Sequence, residues 1–205
     1  AAASGVMLGA SVSLVLAAAD RSDVRTGAGV VAGVVFIVVV SHFLHAPHRE
    51  LELGSLRGED AAKGLLIVAV MTVHSVAEGV GVGAAFGGGG TLGILIAVAI
   101  AVHNIPEGLA ISLVLVPRGT SIRASAGWSI FSSLPQPLLA VPAFLFVDAF
   151  EGVLPAALGF AAGAMVWMVA RELLPEALGQ ASVRAVVATA IASFAAMIAF
   201  QAILL

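Results

Sequence analysis

Two six-residue phrases, His74-Ser-Val-Ala-Glu78-Gly79 and His103-Asn-Ile-Pro-Glu107-Gly108, carry an imidazole and a carboxylate at i, i+4 inside two successive apolar stretches. On a helix that spacing stacks both side chains of a pair on one face, a turn apart. Ionisable groups at membrane depth are costly, so four of them in matched pairs mark a site. Two imidazoles and two carboxylates form a ligand set for a zinc-sized divalent ion, and the carboxylate charges offset its own. One such phrase alone reads equally well as a buried hydrogen-bonded His–Glu pair. Its repetition on the next span, with proline in the second copy, favours metal.

The elements that position these groups follow from composition. Of 205 residues, 60% are hydrophobic and 10% charged, and the mean hydropathy is +1.13, which leaves too little polar surface for a water-soluble globule. Apolar runs near or above the roughly 20 residues that a spanning helix needs predict an all-α, polytopic transmembrane helical bundle. Barrel strands would alternate over about 10 residues, and these runs do not. A net charge of -3 gives no basic face, so nucleic acid is not a partner. The chain has no cysteine, which excludes disulfides, iron–sulfur clusters and thiolate metal sites and favours zinc, iron(II) or manganese over copper(I).

Spans are expected near 1–19, 27–46, 61–86, 91–117, 122–147, 151–178 and 183–205, as one transmembrane domain over 1–205 with a polar loop at 47–60. Short connections imply antiparallel neighbours. If loops alternate sides, Arg49, Arg57, Lys63, Arg118, Arg123, Arg171 and Arg184 fall together and only Arg21 and Arg25 lie opposite. That bias assigns the 47–60 loop to the cytoplasm. The first apolar run carries no charged n-region and reads as a span rather than a signal peptide. A cytoplasmic start in apolar sequence leads us to expect a further helix upstream.

The third and fourth spans meet at Gly87–Gly90. Measured from that turn, the two phrases lie roughly 18 and 26 Å along their helices, an offset for tilt or a helix break to close. Pro106 supplies a candidate break, because it withdraws a donor from the carbonyl of Val102. Irregular backbone in lipid must be buried or line a wet cavity, as in transporters. Gly79 and Gly108, each directly after a glutamate, leave room for an ion or a neighbouring helix. Gly79-x-Gly81-x-Gly83 and Gly159-Phe-Ala-Ala-Gly163 are expected to be close-packing faces.

The two phrases resemble the H-N-x-x-E-G pair of the ZIP (Zrt-, Irt-like protein) family of divalent metal transporters. Ser4-Gly-Val-Met-Leu-Gly-Ala10 is similar to that family's second helix, and Gly163…Arg171-Glu-Leu-Leu-Pro-Glu176 to its seventh. The likeness covers nearly the whole chain, and implies an eight-helix fold of which the first helix is missing here. It implies transport of zinc, or of iron, manganese or cadmium ions, toward the cytosol, with no prosthetic group. It further implies a binuclear site, with His74, Glu78, His103 and Glu107 around the first ion and Asn104 serving a second that Glu78 and Glu107 bridge. Ser75 stands where the family commonly has Asn, and Gln136 where many members have Glu. Losing that carboxylate removes charge that a second cation requires, so one strong site is expected.

Weaker signals complete the reading. His42, His45 and His48 could catch metal leaving the pore, as the family's His-rich loop is thought to do, or form an ordinary interfacial helix end. Glu172 and Glu176 could serve an exit path or pair with Arg171. Asp148 and Glu151 could draw cations to an entrance. Expected partners are divalent ions, the lipid bilayer and a second copy of the chain in a homodimer. Two other classes compete. An intramembrane zinc-dependent hydrolase lacks H-E-x-x-H and an open ligand position, and a bis-His haem protein leaves the two glutamates unexplained.

Overall fold

Serine hydroxyls set where three of the helices begin. Ser22, Ser121 and Ser182 accept hydrogen bonds from the backbone N–H of Arg25, Ala124 and Ala185 at 3.4, 3.2 and 3.4 Å, satisfying donors that a helix start leaves without partners. They open α2 (Asp23–Leu44), α5 (Ile122–Ser133) and α9 (Val183–Leu204). The computed structural model describes residues 1–44, 52–53 and 56–204, the side chains at 43–44, 52–53, 103 and 204 excepted. The other helices are α1 (Ala2–Ala19), α3 (Gly58–Gly87), α4 (Gly90–Leu115), α6 (Pro135–Ala149), α7 (Leu154–Met168) and α8 (Leu174–Gln180). Together they make seven helical stretches long and apolar enough to cross a membrane.

The expected spans hold to within a few residues. The second starts at Asp23 instead of 27, because Ser22 caps it and the Asp23 carboxylate suits a helix N-terminus. The third starts at Gly58 instead of 61. Just before it, β1 (Glu52–Leu53) and β2 (Leu56–Arg57) pair antiparallel, so the polar loop contains a two-stranded ribbon that the sequence reading did not foresee.

Helix irregularities fall elsewhere than expected. Pro106 lies inside an uninterrupted α4, whereas the fifth span is divided at Leu134. In Ser132-Ser-Leu-Pro-Gln-Pro137 two prolines withdraw N–H groups within three residues, and the carbonyl of Phe131 is served by Leu134 N at 3.2 Å. The sixth span passes from α7 through a π-turn at Val169–Leu173 into α8, just ahead of Pro175. That turn carries Arg171 and Glu172.

Packing depends on backbones brought close by absent side chains. A Cβ on Gly163 or Gly159 in α7 would collide with the carbonyls of Val30 or Thr26 in α2, and one on Gly79 or Gly83 in α3 with those of Gln136 or Ala140 in α6. Gly81 faces Ala161 of α7. Both expected glycine faces are therefore contact faces. Over an 18-residue apolar window the sixth span is 61% buried and the first and third 50% each, against 11% in the fifth and 17% in the last, so α1, α3 and α7 form the centre. Exposed Ile94, Val98 and Ile105 on α4 present an apolar surface suited to lipid.

The loops alternate between two ends. At one end Arg21 donates to the carbonyl of Gly88 (3.0 Å) and Arg25 to that of Gly152 (2.8 Å); at the other Arg118 pairs with Asp60 (3.4 Å). Gly163→Val should destabilise the fold by about 1–3 kcal/mol by overpacking against Val30, read as a lower unfolding midpoint in detergent. Gly127→Ala, with no neighbour in reach of the new methyl, should leave that midpoint unchanged or raised.

Candidate metal centre

The third and fourth spans form an antiparallel hairpin about Gly88 and Gly89, and the hairpin decides which side chains meet. Counted from that turn, Glu107 lies about four residues, roughly 6 Å, deeper than His74. Side chains on a helix lean toward its N-terminus, so on antiparallel neighbours they lean in opposite directions. His74 reaches away from the turn and Glu107 back toward it. Opposed lean helps close the offset without the break expected at Pro106.

The result is a cluster. Nε2 of His74 lies 3.2 Å from Oε1 of Glu78 and 3.0 Å from Oε1 of Glu107. His74 and Glu78 are wholly buried, and the Glu107 side chain is 10% exposed. One ligand atom from each of the three falls within 4.8 Å of the others. Bonds of about 2.0–2.1 Å from a tetrahedral zinc put neighbouring ligand atoms roughly 3.3 Å apart. The two separations from His74 are close to such an edge. Two carboxylates beside one imidazole in a buried setting are a costly concentration of charge, which a divalent cation offsets.

Not every expected ligand is accounted for alike. His103 belongs to α4, one turn before Glu107, but its side chain lies outside the described residues. Asn104 is turned to a neighbour: its Nδ2 donates to Oε1 of Gln136 at 2.8 Å. Gln136 is delivered by the break in the fifth span, and its backbone lies against Gly79, immediately after Glu78. Gly108 admits the hydroxyl of Ser129, a neighbour that no spacing or motif announces. Ser75 is buried, and its hydroxyl donates to the carbonyl of Met71 at 3.1 Å. His42 sits exposed in the last turn of α2, while His45 and His48 lie outside the described residues.

A cavity of about 570 Å³ approaches the cluster from the Arg118 end. Its lining includes Pro106, beside Glu107, and Val70, one turn before His74. Nearer the mouth stand Lys63, Arg118, Glu176 and Gln180, with Glu172 of the π-turn. Glu176 accepts a hydrogen bond from Gln180 at 2.5 Å.

Among the described residues, seven apolar spans define an integral, multi-pass membrane protein, and three of its buried side chains, His74, Glu78 and Glu107, lie close enough together to hold a metal ion. The profile of the family described as ZIP Zinc transporter matches residues 54–201, and the chain belongs to that family. Over 198 residues it is 46% identical to an Arabidopsis thaliana protein named "Putative zinc transporter At3g08650". That alignment covers 95% of this chain and 32% of the relative, so the chain spans about a third of its relative's length.

If the three groups share one ion, His74→Ala and Glu107→Gln should each weaken zinc or cadmium binding by about 100-fold or more, since loss of supporting groups alone costs 10- to 100-fold. Competition against a chromophoric chelator in detergent measures this. Thr72→Ala, two residues before His74 and on another face of α3, with its hydroxyl spent on the Val68 carbonyl, should leave affinity near wild type.

Proposed function

We propose that this chain carries a divalent transition-metal ion, zinc in the first instance, across the membrane toward the cytosol. His74, Glu78 and Glu107 hold the ion at mid-membrane, with His103 completing the cage. The observation that carries this reading is the approach of one imidazole nitrogen to two carboxylates from two neighbouring spans. Imidazole and carboxylate bind tightly enough to strip water from the ion, and both can take up a proton as it leaves. The cavity toward Arg118 supplies the departing ion with a route, and the positive-inside bias makes that end cytoplasmic.

The second position implied by the family resemblance is weak in this chain. Asn104 and Gln136 satisfy each other as neutral amides. Next to two carboxylates, one divalent ion already balances the charge, and a second would leave excess positive charge in a low-dielectric interior.

Uptake of zinc into proteoliposomes tests the reading. Glu107→Ala and His103→Ala should each abolish saturable flux, and unchanged flux in both would contradict it. Bound zinc counted by equilibrium dialysis should fall by one ion per chain when His74 is replaced by Ala. Gln136→Glu, which adds a third carboxylate, should raise the count by one.

A further inference from the structure

The cavity whose inner lining reaches Val70 and Pro106, next to the cluster but without its three residues, is lined by charge of both signs, which is unexpected for a cation's exit. Lys63 and Arg118 stand on the α3–α4 hairpin, and Glu172 and Glu176 on the sixth span. Their formal charges cancel. Between this mouth and Pro106 the walls include Leu66, Val70, Leu109 and Leu113, which offer an ion no ligand. Pro106 and Arg118 are twelve residues apart on one continuous run, or about 18 Å. Low-dielectric walls focus the field of the few charges at the opening, so those charges govern how long a released ion stays there.

Arg118 is held in place. Its Nη1 donates to the carbonyl of Val114 at 2.6 Å, near the end of α4, and its Nε lies 3.4 Å from Oδ1 of Asp60 at the start of α3. The side chain is 30% exposed, at the boundary of cavity and solvent. Among the described residues Lys63 makes only a long contact with Glu59, at 4.0 Å, and both are well exposed. Arg118 is thus the better fixed of the two cations, and Asp60 is the group that moderates it.

We propose that Arg118, assisted by Lys63, prevents the cytoplasmic mouth from retaining the cation it has released, and that Asp60 sets the strength of this effect. With Asp60 counted, loss of the guanidinium takes the mouth from one net negative charge to two, so that it concentrates divalent ions and inhibits further delivery. The proposal rests on the transport reading above, and its subject is release, not binding at His74.

The test is inhibition of zinc uptake by zinc added on the Arg118 side, in proteoliposomes sorted for orientation, with each variant referred to its own rate without that zinc. One charge about 8 Å from a divalent ion in water-like dielectric alters local occupancy about four-fold at 10 mM ionic strength and about two-fold at 0.15 M, so the test is run at 10 mM. Arg118→Gln should lower the inhibitory zinc concentration about four-fold, and Lys63→Gln should lower it less. Asp60→Asn should raise it, and all three shifts should shrink in 0.5 M salt. If Arg118→Gln does not fold, Asp60→Asn still carries the signed prediction. Wild-type inhibition in both Arg118→Gln and Asp60→Asn, or shifts of the same sign in the two, would overturn the role of Arg118. Wild-type uptake that persists unchanged in Glu107→Ala would overturn the transport reading itself.

Discussion

Two carboxylates crowded around one buried imidazole are the constraint to which the rest of this bundle answers. Such a concentration of charge is unfavourable among apolar helices unless a cation shares it. Its geometry is set by the α3–α4 hairpin, whose antiparallel course makes His74 and Glu107 lean toward each other. α3 is held on one side by α6 and on the other by α7, through glycines that let backbones approach. These contacts fix the third span at the centre and leave the outer faces of α4, α5 and α6 apolar and exposed. A ligand-bearing helix buried on both sides keeps its imidazole where a passing ion can meet it.

The irregular backbone has a use in the same scheme. The break at Leu134–Pro135 brings Gln136 against Gly79 and within reach of Asn104, so a span that contributes no charge still shapes the neighbourhood of both glutamates. The π-turn at Val169–Leu173 accompanies the entry of Glu172 into the cavity lining. Insertions of this kind commonly accompany functional positions in helices. In both spans proline follows closely, which supplies a local cause: each missing N–H frees a carbonyl and loosens the ladder where the chain needs to turn.

Much of this was legible in the sequence because the signals are periodic or expensive. The spans follow from hydropathy, and the pairing of His74 with Glu78 from i, i+4 spacing. Convergence with Glu107 follows from a short turn between neighbours, and the glycine faces from their spacing. What escaped reading depended on three-dimensional competition. Pro106 is a candidate break by sequence, yet α4 runs through it while the pair Pro135 and Pro137 divides the next span. A lone proline leaves one carbonyl to be satisfied, but two in three residues leave the helix no alternative. The contact of Arg118 with Asp60 joins residues far apart in sequence, and nothing in either loop announces the other. Ser129 is likewise visible only once α5 lies against Gly108.

The central claim is that His74 and Glu78 of one span and Glu107 of the next ligate a single cation. X-ray absorption at the zinc edge, on the full chain loaded with one equivalent, addresses it without reference to flux. The account predicts a shell of nitrogen and oxygen only, at about 2.0–2.1 Å, with imidazole scattering that weakens in His74→Ala. A sulfur-containing shell, or a zinc spectrum identical in wild type and His74→Ala, would contradict it.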